Sequence, residues 1–135
     1  VVTSALNIAA LLEEAVGVTV ILTGGTLRAT QHSLVNPMGT EIISRVRADR
    51  AFIGASGVEA GAGVTNANFP EAEIKRAMMA AARQKVLLAD GSKVGRIAAA
   101  VVGPLSSFDL LITSRDAPEK DLEALRAAGM EVRVV

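Results

Sequence analysis

Thr65-Asn-Ala-Asn-Phe-Pro-Glu71-Ala-Glu-Ile-Lys75-Arg-Ala-Met78, followed by the apolar run Val86-Leu-Leu-Ala89 and then Asp90-Gly-Ser-Lys93-Val-Gly95, reads as loop, helix, strand, loop. Pro70 suits a first helical turn, where its missing N–H costs nothing. Behind it Ile74, Ala77, Met78, Ala81 and Ala82 repeat at helical spacing and form one apolar stripe. Each of the two segments sets a lysine beside small polar groups where a loop meets regular structure. Such places suit a small anion.

The same alternation extends in both directions. Further apolar runs are Val18–Leu22, Ala51–Ile53, Leu110–Thr113 and Val132–Val135. Most lack the polar alternation of a half-wet strand, as expected for strands covered by helices on both faces. Ser4 is a candidate cap for a helix with Ala5, Ile8, Ala9 and Leu12 on one face, and Pro37 for the start of one with Ile42, Ile43 and Val46 inward. Pro118 opens a last helix, with Leu122 and Leu125 inward and Gly129 stopping it. Strand and helix in alternation predict an α/β fold with a mostly parallel, Rossmann-like sheet. No linker or repeat divides the chain, which reads as one domain, with Gly54 to Gly63 as a long glycine-rich loop.

Composition narrows the function. Half of the 135 residues are apolar, enough for a buried core, and basic and acidic residues balance at 14 each. No global field draws this segment to nucleic acid or to an anionic membrane. The absence of cysteine excludes disulfides, thiolate metal sites and a cysteine nucleophile. No apolar run approaches the roughly 18 residues of a membrane span, so a cytoplasmic protein is expected. His32 lies in a polar stretch with no partner spaced for a metal, and neither a metal nor a cofactor is expected. Phe52 and Phe108 are expected in the core. The opening Val1-Val2-Thr3 reads like a strand entered partway through a domain.

In open α/β sheets ligands gather beyond the carboxyl ends of the strands. The residues in question are Thr3-Ser4, Thr23-Gly24-Gly25, Gly54-Ala-Ser-Gly57, Asp90-Gly-Ser-Lys93 and Thr113-Ser114. Neither the G-x-G-x-x-G of a dinucleotide fold nor the G-K-[ST] of a P-loop is present. Glu71 and Lys75, four apart on a helix, also fit a solvated surface pair worth about 0.2–0.5 kcal/mol. Lys93 equally fits a solvated loop, and Gly24-Gly25 a tight turn.

Seven pieces occur together and in order: Val2-Thr3-Ser4-Ala-Leu-Asn7-Ile-Ala, Leu22-Thr-Gly24-Gly25-Thr-Leu-Arg28, Ala51-Phe-Ile-Gly54-Ala-Ser-Gly57, Gly63-Val-Thr65, Glu71-Ala-Glu-Ile-Lys75-Arg-Ala-Met78, Leu88-Ala-Asp90-Gly-Ser-Lys93-Val-Gly95 and Leu111-Ile-Thr113. In this the chain resembles the C-terminal sensor domain of DeoR-family bacterial transcriptional regulators. The resemblance implies a fold similar to ribose-5-phosphate isomerase, glucosamine-6-phosphate deaminase and the CoA transferases. It also implies a role in repressing sugar or nucleoside catabolism, with a phosphorylated sugar as effector and a homo-oligomeric assembly. DNA would be bound only through an N-terminal winged helix-turn-helix absent from this sequence, and the sensor's own first strand and phosphate-cradling loop would also lie upstream of Val1. The implied ligand site gathers Thr3, Ser4, Gly24, Gly25, Arg28, Gly54, Ser56, Gly57, Thr65, Glu71, Lys75, Asp90 and Lys93, with the glycine-rich loop closing over the ligand.

Two positions depart from the family pattern. Ser4 stands where asparagine is common, and Ser56 where an acidic residue is frequent. A sugar isomerase needs a base within reach of the proton it moves, and Ser56 cannot be one at neutral pH. Glu71 is the remaining candidate, and its neighbour Lys75 suits clamping a ligand at least as well. Sensing is expected over catalysis, with an isomerase or deaminase, or a ligand-free oligomerisation domain, as the alternatives.

Overall fold

In the computed structural model, which describes residues 1–36 and 38–135, the chain divides into two compact units, Val1–Val46 and Arg47–Val135. The first contains β1 (Val2–Thr3), α1 (Leu6–Glu13), β2 (Ile21–Leu22), β3 (Thr26–Arg28), β4 (Ser33–Val35) and α2 (Met38–Ser44). β1 and β2 pair in parallel, and β3 and β4 form an antiparallel hairpin. Ser4 does not cap α1: the helix begins at Leu6 after an Ala5 N-cap with no side-chain bond. Thr3 Oγ1 instead accepts from the Ala5 N–H at 3.1 Å. The expected opening of α2 by Pro37 lies outside the described residues. The strand expected over Val18–Leu22 shrinks to Ile21–Leu22, both exposed.

The second unit contains β5 (Ala48–Gly54), β6 (Gly57–Glu59), β7 (Gly63–Asn66), α3 (Phe69–Ala81), β8 (Ala82–Leu88), β9 (Ala100–Gly103), β10 (Leu110–Thr113), α4 (Glu119–Ala127) and β11 (Val132–Val134). β5, β8, β10 and β11 lie side by side in that order, every pairing parallel, with Phe52, Val86 and Leu110 in one cross-strand row. The fold is therefore α/β around a mostly parallel sheet, as the strand and helix alternation predicts. Each connection steps the same way across the sheet, so right-handed crossovers stack α3, the β9 segment and α4 on one face. Burial agrees. Ala51, Ile53, Leu87 and Leu111 share one apolar cluster with Ala72 and Met79 of α3 and with Leu122 and Leu125 of α4. Ile53, Leu87, Leu111, Leu122 and Leu125 are fully buried, each contributing about 1.5–3 kcal/mol relative to exposure.

Two expectations need correcting here. Phe52 is not core: alternation along β5 turns it away from Ala51 and Ile53, and it is 57% exposed, whereas Phe108 is buried. Gly54 to Gly63 is not a long loop. Gly57–Glu59 pairs antiparallel with β7, which also pairs with β9, making a three-stranded sheet with Val58 and Val64 at its centre. A segment with a fully buried valine and a strand partner has no freedom to act as a closing lid.

Candidate functional site

The end of β7 and the start of α3 form a densely bonded polar cluster in the second unit. All four residues of β7 are buried, including Thr65 and Asn66. A strand so placed must satisfy its polar side chains internally. Thr65 does so through the scaffold: Oγ1 accepts from the Ala98 N–H at 2.8 Å and donates to the Gly57 carbonyl at 3.3 Å.

Asn66 is bonded at both ends of its amide. Oδ1 accepts from Lys75 Nζ at 2.5 Å and from Ser56 Oγ at 3.4 Å. Nδ2 donates to Glu71 Oε2 at 2.9 Å and to the Asn68 carbonyl at 3.5 Å. This orientation is the one the charges demand, since a flipped amide would turn its NH2 toward an ammonium and its oxygen toward a carboxylate. Asn68 caps α3 from an extended conformation, its side chain accepting from the Glu71 N–H at 3.0 Å, with Pro70 in the first turn. Ser56 closes the ring, accepting from the Ala67 N–H at 3.0 Å.

Lys75 is the cation of this cluster. Its pKa is lowered from the usual 10.5, chiefly because burial disfavours the ammonium, with the Glu71 carboxylate opposing the shift. The bond to Asn66 is the one its ammonium makes among the described residues, so two of its three donors are unspent there.

A second cluster follows β8, the neighbour of β5 in the sheet. Asp90 Oδ1 caps the short 3-10 turn Gly91–Lys93, accepting from the Ser92 N–H at 2.9 Å and from the Ser92 hydroxyl. Those bonds, the Ser92 hydroxyl first, hold the Asp90 carboxyl below its ordinary pKa. Lys93 Nζ lies 4.0 Å from Asp90 Oδ2 and donates to Ser92 Oγ at 3.2 Å. The Gly91 N–H donates to Ser114 Oγ at 2.8 Å, tying this turn to the end of β10. Gly54, Asp90 and Ser114 thus all stand at the carboxyl edge of the parallel sheet, where such folds hold ligands.

Of the residues singled out in the sequence, the structure joins Ser56, Glu71 and Lys75 in one network and Asp90 with Lys93 in another. Gly57 and Thr65 face inward: a Cβ on Gly57 would meet the Arg96 backbone and the Thr65 hydroxyl. Gly54 is open, with nothing within 4 Å of where its Cβ would stand. Thr3, Ser4, Gly24, Gly25 and Arg28 belong to the first unit. There Gly24 and Gly25 both have positive φ, and a Cβ on Gly25 would run into the Val35 carbonyl, which accounts for that glycine by close approach alone. Arg28 Nε donates to Gln31 Oε1 at 3.2 Å.

Sequence reasoning did not single out Asn66, the residue that bonds both Glu71 and Lys75. An asparagine ending a buried strand, five residues before Glu71 and nine before Lys75, was the available signal. Thr23 and Thr113 were quoted as strand-end and loop residues without a role of their own. Each is a buried threonine at or just beyond a strand's carboxyl end whose Oγ1 has no hydrogen-bond partner among the described residues. Groups of three or more His, Cys, Asp or Glu able to hold a metal do not occur among the described residues.

Residues 1–115 match the family model of the DeoR C-terminal sensor domain. The chain is 31% identical over 134 residues to the transcriptional regulator GolR of Listeria innocua, covering 99% of this chain and 53% of that protein. It is 32% identical to the transcriptional repressor GlcR of Bacillus subtilis (99% and 52% covered). It is 30% identical to the glycerol-3-phosphate regulon repressor of Escherichia coli K12 (93% and 50% covered). The chain thus spans about half the length of these relatives. With the α/β fold and the match over most of its length, this chain belongs to the DeoR C-terminal sensor-domain family.

Proposed function

We propose that this chain is the effector-sensing part of a transcriptional repressor of carbohydrate or nucleoside catabolism, and that its effector is a small phosphorylated sugar or polyol. One observation carries the reading: the half-buried Lys75 ammonium, whose desolvation outweighs the help it receives from Glu71. An anion delivered to its two unspent donors would compensate that burial, and a phosphate supplies acceptors and charge together. Lys93 provides a second cation at the sheet edge, while Glu71 and Asp90 are suited to hydroxyl groups. Gly54, open at the same edge, lets a ligand approach the backbone. The glycerol-3-phosphate regulon repressors among the relatives support a phosphorylated polyol as the class to test first. Ser56 spends its hydroxyl on Asn66 and Ala67, and Glu71 is bonded by Asn66, which favours recognition over proton transfer. DNA binding is assigned to a part of the protein outside this chain, and the place of action to the cytoplasm.

Isothermal titration of the intact protein against a panel of sugar and polyol phosphates tests this. Heat is expected with at least one member and a large loss of affinity in Lys75→Ala. No heat with any member, or unchanged affinity in that variant, would sink the reading.

A further inference from the structure

Glu71 and Lys75 sit four residues apart on α3, with the acid on the N-terminal side, the arrangement in which such pairs ordinarily close on each other. They do not share a direct bond here. The Asn66 side chain stands between them, its oxygen on the ammonium and its nitrogen on the carboxylate. Asn66 is held there from several sides: it is 1% exposed and fixed by β7, with Ser56 and the Asn68 carbonyl completing its bonds.

We propose that Asn66 is a positioning residue, an amide wedge that blocks direct pairing of Glu71 with Lys75 and thereby keeps the Lys75 ammonium open to the anionic group of an effector. The proposal deepens the sensor reading above and rests on it for the identity of the ligand. The chemistry favours an amide at this place. A carboxylate in the position of Asn66 would neutralise Lys75 from within and repel Glu71. An aliphatic side chain would remove the polar group that stands between the carboxylate and the ammonium. A neutral amide satisfies one hydrogen-bonding direction of each and cancels neither charge.

Charged groups on α3 and on the neighbouring strands have partners of their own: Arg76 donates to the Val101 carbonyl. β7 and β9 carry no ionisable side chain. On β5 and β8, Asp49 lies 3.8 Å from Arg83, Arg50 donates to Gln84, and Lys85 donates to the Arg83 carbonyl. Burial lowers the Lys75 pKa, and the Glu71 carboxylate opposes that shift.

The decisive measurement is the titration of Lys75 followed by NMR of its side-chain carbon next to nitrogen, in the wild type, Asn66→Ala, Glu71→Gln and the double variant. If Asn66 serves only as a hydrogen-bond acceptor for the ammonium, its removal lowers the Lys75 pKa further. If it is a wedge, removal lets Glu71 close on Lys75 and the pKa rises, and Glu71→Gln then has a larger effect without Asn66 than with it. Asn66→Ser, which keeps a hydroxyl in the buried position but not the reach of the amide, replaces the alanine variant should that fail to fold. A fall, or no change, overturns the proposal. Calorimetry with glycerol 3-phosphate and other polyol phosphates on the same samples separates the two claims. Wild-type binding weakened about tenfold or more by Asn66→Ala, the scale of a charge-assisted bond, upholds both. A raised pKa with no wild-type binding upholds the wedge and sinks the sensor reading. Equal binding by both proteins with an unmoved titration sinks the wedge and leaves the sensor reading standing.

Discussion

Thr65 and Ala98 are joined across 33 residues by a single 2.8 Å hydrogen bond, from the Ala98 amide to the Thr65 hydroxyl. The bond pins the segment beyond the Gly91–Lys93 turn onto β7, so the hydroxyl is part of the frame that carries the site. Thr65→Val keeps the shape and removes the acceptor. A loss of about 1–3 kcal/mol is expected by urea denaturation, the cost of stranding a part-buried donor. Effector affinity should fall far less than in Lys75→Ala.

Gly54 and Gly57 separate frame from site in a second way. Gly57→Ala forces a methyl into the Arg96 backbone and should destabilise by about 1–3 kcal/mol. Gly54→Ala meets open space, so its stability should stay within about 0.5 kcal/mol of wild type. If a ligand comes close to this backbone, calorimetry should nonetheless show weaker binding in Gly54→Ala.

Lys75 sets a pH dependence of definite sign. Its folded pKa lies below 10.5, so between the folded value and 10.5 the unfolded chain holds more proton than the folded one. Stability from this group is therefore poorest below the folded value and improves as pH rises through that window. Lys75→Met should be more stable than wild type at neutral pH, with the difference shrinking toward pH 10.5. Thermal melts of both proteins across alkaline pH would reveal it.

Asp90 runs the other way. Its folded pKa is depressed below 3.8, mainly by the Ser92 hydroxyl, so its contribution is intact above 3.8 and fades as pH falls through the folded value. Asp90→Asn keeps a capping oxygen but cannot titrate. Acid unfolding of that variant should show a shallower dependence on pH in this range.

In the core, Leu87→Ala should cost about 2–5 kcal/mol, because Leu87 is fully enclosed between Ile53 and Leu111 in the sheet register. Phe52→Ala, one position away across the sheet, should cost much less. Guanidinium melts of the two variants give the comparison.

The parallel sheet was legible because Val86–Ala89 and Leu110–Thr113 are short apolar runs that end at turn residues, although β8 itself begins earlier, at Ala82, and α3 and α4 were legible because their apolar spacing and prolines agree. The three-stranded sheet was not. β6 and β9 are three and four residues long, and the glycines in and around β6 signal a loop by composition even though a partner strand orders the segment. Phe52 was misplaced because an apolar run does not say which of its members alternation turns outward. Glu71 and Lys75 were legible as a pair by spacing alone. That an asparagine outside the helix stands between them depends on where β7 ends, which helical periodicity does not encode.

The junction of β7 with α3 also bears on how such a sensor changes over time. Asn66, Asn68, Glu71 and Lys75 lie within ten consecutive residues and Ser56 joins them from outside, while Thr65, bonded to Ala98 and Gly57, ties the end of β7 to its neighbours. On the proposed reading, substitution within this short segment would change what the Lys75 end of the site recognises and leave the supporting sheet untouched.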